Sequence, residues 1–162
     1  MKIAVITCSN RSASGERIDE SGAILEAGLI EARHEVLPRV VVPDDIDRIR
    51  AAVRAALAEG VQAVITTGGT GLTPTDVTPE AIDPLLDRQI PGIAEALRMV
   101  SRHRVPTSVL SRGVAGSIGE SLIVTLPGSP GGVRDGLAVL LPILDHAVDQ
   151  LAAGDHQPGG GI

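Results

Sequence analysis

A chain of 162 residues is long enough to bury the core of one domain, and its 43% apolar and 21% charged content is that of a globular protein. The net charge of -6 argues against the basic surface that phosphate backbones need, and with no Phe, Tyr or Trp there are no rings on which bases could stack, so nucleic acid is not expected as a partner. Cys8 is the single cysteine and cannot form an internal disulfide, while the most apolar run, residues 137–144, falls short of the roughly 18 residues of a membrane span; a soluble, cytoplasmic protein with no membrane partner is expected.

In chain order, residues 2–7 (KIAVIT) are β-branched and alternate well enough for a buried first strand, and a polar, glycine-containing loop follows over residues 8–16. A helix opens at Asp19, with acids in its first turn where the dipole favours them, and runs to about Arg33. The second strand, residues 35–42, contains Pro38, which cannot donate to a ladder and so belongs near a sheet edge. Asp44 or Asp45 caps the next helix, whose Ile46, Ile49, Val53 and Leu57 share a face until Gly60 stops it. Residues 63–67 form the third strand. Thr78 is the expected N-cap of a helix with Pro79 at its first position, and Pro84 makes that helix break and restart at Asp83. Pro91 begins another helix, with Ile93, Leu97 and Val100 on one face. An extended segment over residues 107–111 leads to a glycine-rich turn at 112–120 and a strand at 121–126. A long final helix carries Val133, Leu137, Leu140, Leu144, Val148 and Leu151 at helical spacing, with a kink at Pro142, and residues 155–162 are expected to form a flexible tail.

Strands alternating with helices imply βαβ units and a mainly parallel sheet covered on both faces. Ligands of such sheets bind outside the carboxyl ends of the strands, which singles out the loops at residues 8–16, 43–45, 68–76 and 127–130. In the third loop, Gly68, Gly69 and Gly71 leave consecutive backbone N–H groups open to an anion, and Thr66, Thr67 and Thr70 add hydroxyls. Asp76 and a helix start follow at once, a combination suited to a nucleotide or phosphorylated ligand held with Mg²⁺. The loop has no lysine for a Walker motif, and Pro74 stands where the dinucleotide fingerprint needs its last glycine, so spacing alone defines an anion cradle. Asp44 and Asp76 are the candidate carboxylates; a lone Asp after a strand is more often an N-cap, and Asp44 or Asp45 could be only that, whereas Asp76 lies two residues before a better cap, Thr78. LPGSPGG at residues 126–132 is either a second tight turn closing the pocket wall or a plain strand-to-helix connection. Cys8 reads as a small buried apolar residue, and His34, His103, His146 and His156 lack metal-ligand spacing.

The segments TTGGTG (66–71), DVTPEA (76–81), IPG (90–92), LSR (110–112) and LPGSP (126–130), in this order and spacing, resemble the MoaB/Mog family of molybdenum cofactor biosynthesis, to which a domain of gephyrin is related. The resemblance extends over nearly the whole chain. It implies a three-layer α/β/α fold with a mostly parallel central sheet, and a single molybdopterin-binding domain over residues 1–154. It also implies assembly as a homotrimer or dimer of trimers, with other proteins of the cofactor pathway as possible partners. Active members are molybdopterin adenylyltransferases: they join AMP from Mg-ATP to the terminal phosphate of molybdopterin and release pyrophosphate, so ATP and molybdopterin are the implied substrates and Mg²⁺ the implied cofactor. Position by position, Asp44 and Asp76 match the family's essential acids and are the implied catalytic and metal-holding pair. Gly68, Gly69, Thr70 and Gly71 match its ligand loop, with Thr67 just before it; Ser14, Asp19, Ser21 and Gly22 fall in the matching first loop and DESG segment; Pro127, Gly128 and Ser129 fall in the LPGSP turn. Thr75 stands where some members carry arginine. The alternative within the same family is a molybdopterin-binding paralogue without turnover, acting as an oligomeric carrier or scaffold.

Overall fold

The structure, a computed structural model, describes residues 1–152, so the expected tail at 155–162 lies outside the described residues. Strand β1 (Lys2–Cys8) lies near the middle of one sheet, flanked by β4 (Ala63–Thr67) on one side and by both β2 (Glu35–Val36) and β3 (Val40–Val42) on the other. Beyond β4 come β7 (Ser121–Leu126), β6 (Ala115–Ile118) and β5 (Arg88–Gln89). The pairs β1–β2, β1–β3, β1–β4 and β4–β7 are parallel; β6 runs antiparallel to both β5 and β7.

The strand alternation divides the core in two. Ile3 and Val5 of β1, Ala63 and Ile65 of β4, and Leu122, Val124 and Leu126 of β7 face α2 (Glu20–Glu31), α5 (Pro91–Met99), α6 (Pro130–Leu140) and α7 (Leu144–Leu151), meeting Leu25, Leu29, Ile93, Val133, Leu140 and Val148. The intervening residues Ala4, Ile6, Cys8, Val64 and Ile123 face α3 (Ile46–Ala58) and α4 (Thr78–Ile82), with Ile49, Val53 and Ile82 opposite. The result is a three-layer α/β/α fold with a mainly parallel sheet. Side chains start the helices: Asp19 accepts from the Gly22 N–H at 2.9 Å, Asp45 from Arg48 at 2.9 Å, and Ser129 from Gly132 at 3.1 Å ahead of Pro130.

Several sequence expectations change in detail. The strand expected over 35–42 is two short edge pieces, because Pro38 interrupts the ladder, and both pieces pair with β1. The first loop contains a one-turn helix, α1 (Asn10–Ala13), and Cys8 closes β1 rather than opening that loop. Thr78 is not a cap: Val77 holds that position, and the Thr78 hydroxyl is buried. Residues expected to be extended at 107–111 form a 3₁₀ turn, Pro106–Leu110, and the glycine-rich segment after it supplies β6. The single kinked final helix is two helices, since Pro142 can neither donate a helical N–H nor tolerate the carbonyl four residues back. No helix among the described residues is long and apolar enough to cross a membrane.

Candidate active site

Register gathers the predicted loops at one rim. Cys8 pairs with Val42, Thr7 with Thr67, and Thr67 with Leu126, so β1, β3, β4 and β7 end side by side, and the segments that follow them meet in space. Gly68 crosses this junction. Its N–H donates to the Leu126 carbonyl at 3.0 Å, its φ is +102°, and a β-carbon there would collide with the Cys8 carbonyl oxygen. Gly69 continues the turn with φ +62°; a β-carbon on it would collide with the Thr78 hydroxyl and come within 3.1 Å of Asp44 Oδ1. Only glycine fits this path.

Two cavities open on either side of the turn. The smaller, about 390 Å³, is polar and takes in Asp44, Asp76, Thr67, Gly68 and the first-loop residues Asn10 and Arg11. The larger, about 880 Å³, contains Thr70, Gly71, Leu97, Val105, Leu110 and Ser129. Gly69, Asp76 and Gly128 line both, so the turn is the wall between them.

Asp44 and Asp76 therefore do face one crevice. The cap ambiguity resolves at α3: Asp45 caps that helix and Asp44 does not. Asp44 Oδ2 accepts from the Asn10 N–H at 2.9 Å, while the Asp44 N–H donates to Asn10 Oδ1 at 3.0 Å. Its Oδ1 is buried without a partner. Burial raises the Asp44 pKa above the ordinary carboxylate value, the Asn10 N–H opposes that shift, and the negative charge of Asp76 adds to it. Asp76 sits on the outer side of the turn, where its Oδ2 accepts from Thr73 N at 2.9 Å and Thr73 Oγ1 at 2.6 Å.

The residues fit a divalent cation of the hard, oxygen-seeking kind. Asp44 presents a buried carboxylate oxygen with no hydrogen-bond donor, and Asp76 keeps Oδ1 clear of the Thr73 bonds. No cluster of three or more His, Cys, Asp or Glu suited to a metal occurs among the described residues, so these two carboxylates would have to be completed by water and ligand phosphate, as Mg²⁺ commonly is.

The other expected site residues divide. Thr67, Ser21 and Asp19 line the smaller cavity, Pro127 and Ser129 the larger. The Asp19 carboxylate is nevertheless committed within the protein: it accepts from Thr7 Oγ1 at 2.7 Å, from Gly22 N, from Ser21 Oγ at 3.3 Å and from Arg39 Nε at 3.1 Å. It anchors the first loop to β1. Gly22 is packed against that anchor, since a β-carbon would strike the Asp19 and Thr7 oxygens. Ser14 lines neither cavity and donates to the Arg11 carbonyl at 3.2 Å. Cys8 is 1% exposed and its thiol is pushed up to about 12 by burial, consistent with an inert core residue. Sequence reasoning missed Asn10, Thr73 and Arg112 as partners of the acids. Only Arg112 carried a signal, as the last residue of the LSR segment.

The rim thus sets a glycine turn and two acids between adjoining cavities at the strand ends of a three-layer α/β/α sheet, where α/β domains bind small-molecule ligands. The family described as "probable molybdopterin binding domain" matches residues 4–146. Molybdenum cofactor biosynthesis protein B of Escherichia coli is 43% identical over 147 residues, which are 89% of this chain and 85% of that protein. A Haemophilus influenzae protein named molybdopterin adenylyltransferase is 39% identical over 142 residues, 85% of this chain and 71% of that one. Among solved structures, the Mog protein from Mycobacterium ulcerans aligns with a TM-score of 0.88 at 47% identity, covering 93% of this chain and 98% of that one. The chain belongs to the MoaB/Mog family of molybdenum cofactor biosynthesis proteins. It spans about half the length of the bifunctional relatives that it also matches, 50% and 48% of two of them.

Proposed function

We propose that this chain adenylylates molybdopterin. An oxygen of the terminal molybdopterin phosphate attacks the α-phosphorus of ATP, the bond between that phosphorus and the bridging oxygen breaks, and pyrophosphate leaves with the electron pair. The observation that carries the reading is the shared wall: two cavities meet at Gly69, Asp76 and Gly128, so two anionic substrates can be brought end to end across one glycine turn. With the Gly68 amide spent on the Leu126 carbonyl, the amides of residues 69–71 would offer hydrogen bonds to phosphate oxygens, and Asp44 with Asp76 would hold Mg²⁺. When bound, Mg²⁺ would neutralise the charge on the transferring phosphorus and the departing pyrophosphate. Arg11 and Arg17 line the smaller cavity and would add positive charge where Thr75 supplies none.

The homotrimer or dimer of trimers and a cytoplasmic setting belong to the same proposal. Exposed Met99, Val105, Val109 and Leu110 on one stretch of chain support self-association. The test is to mix purified protein with molybdopterin and Mg-ATP and to measure pyrophosphate. Release in proportion to adenylyl-molybdopterin supports turnover. Tight pterin binding with no release would instead leave the second reading, a carrier using the same cavities. Light scattering then reports the mass of the assembly.

A further inference from the structure

The wall that carries Asp76 is tied to the rest of the molecule at few points. Within the turn, Asp76 N donates to the Thr73 carbonyl at 2.9 Å and the Asp76 carboxylate accepts from Thr73, so these bonds move with the turn. The hydrogen bonds that reach residues 70–76 from elsewhere among the described residues come from Ser111 and Arg112. Ser111 Oγ donates to Thr70 Oγ1 at a long 3.3 Å. Arg112 does far more: its main-chain N–H donates to Thr70 O at 2.8 Å, Nε to Gly71 O at 2.8 Å and Nη2 to Asp76 O at 2.7 Å. Nη1 and Nη2 also meet the Glu80 carboxylate on α4. One planar fork thus spans both ends of the turn and is braced from behind. With its donors so engaged, Arg112 is poorly placed to be a phosphate ligand itself.

We propose that Arg112 is a positioning residue for nucleotidyl transfer, fixing the Asp76 carboxylate in the wall between the two cavities through the Gly71 and Asp76 carbonyls. This rests on the reading that Asp76 holds the divalent ion. Two carbonyls set at the spacing of Nε and Nη2 need a guanidinium; a lysine ammonium keeps the charge but offers a single point. Charge alone therefore does not substitute.

The test compares full-length Arg112→Lys and Arg112→Met with the unaltered protein by pyrophosphate release over a range of Mg²⁺ concentrations, and by amide hydrogen exchange. The expected result is a loss of turnover of roughly 10- to 100-fold in both variants, an apparent Mg²⁺ requirement raised about tenfold, and faster exchange confined to residues 70–77. A lysine variant with unaltered turnover and Mg²⁺ dependence would overturn the proposal. So would unchanged exchange at 70–77, or exchange lost throughout β1, β4 and β7, which would make Arg112 a residue of the fold at large. If the unaltered protein releases no pyrophosphate, the adenylyltransferase reading falls by itself. The positioning role is then decided by whether Mg²⁺ protects the 70–77 amides in the unaltered protein and fails to do so in the lysine variant.

Discussion

Asp44 and Asp76 face the same crevice from opposite settings. Asp44 follows an edge strand and is held in a reciprocal pair with Asn10; one of its oxygens is buried without a donor, and its ionised form is disfavoured by lost solvent. Asp76 stands on a surface turn whose own Thr73 satisfies its outer oxygen, and its backbone is clamped by Arg112. The first acid is strained electrostatically and the second is restrained mechanically. Under the proposed function, a divalent cation would relieve the former and depend on the latter for geometry.

Replacing each acid by its amide is the most severe way to break this contrast. Asp44→Asn and Asp76→Asn should each lower pyrophosphate release by about 100-fold or more. In denaturant titrations they should part: Asp44→Asn removes a desolvated charge and gains up to about 1 kcal/mol, whereas Asp76→Asn disturbs the Thr73 bonds and loses about 1 to 2 kcal/mol. Equal stability changes of the same sign would erase the distinction. Gly69→Ala is the next largest effect, about 1 to 3 kcal/mol of stability, because it combines φ +62° with a β-carbon aimed at Thr78 and Asp44; divalent affinity measured by calorimetry should fall with it.

Acidification sharpens the comparison further. The Asp44 pKa is raised on folding above its ordinary 3.8, so this group favours the folded state at pH below 3.8 and that contribution is lost as pH rises through the folded value. Holding a cation needs the ionised form and has the opposite sense: as pH falls, divalent affinity should begin to drop earlier than it would for a solvent-exposed aspartate, by at most about tenfold per pH unit for one proton. Asp44→Asn should flatten that profile. The Glu80 carboxyl is held below its usual 4.5 by the Arg112 hydrogen bond, so the brace on the turn should outlast Asp44 on acidification, which amide exchange at 70–77 can follow. The smallest effect expected is Thr73→Val, about 1 kcal/mol of stability and a few-fold in Mg²⁺ dependence, confined to the Asp76 side.

The cores of β1, β4 and β7 and the starts of α2, α3 and α5 were legible because hydrophobic alternation and local capping chemistry act over a few neighbouring residues. Strand β6 was not: Ala115–Ile118 reads as a glycine-rich turn and becomes a strand only by pairing with β7 and β5. The same limit applied at the site. Gly68, Gly69, Asp44 and Asp76 could be named from their loops, but Asn10 and Arg112 lie 34 and 36 residues from the acids they serve, with nothing local to announce the pairing.

By itself the sequence determined an α/β chain with a tight glycine turn after residues 63–67 and two acids in the strand-end loops, because turn geometry and helix starts are written in adjacent residues. Only the tertiary structure decided that Asp44 is held by Asn10, that Asp19 is spent on anchoring the first loop, and that Arg112 braces Asp76. Those outcomes depend on strand register, which brings segments distant in the chain within hydrogen-bonding reach and is set by the packing of the whole sheet.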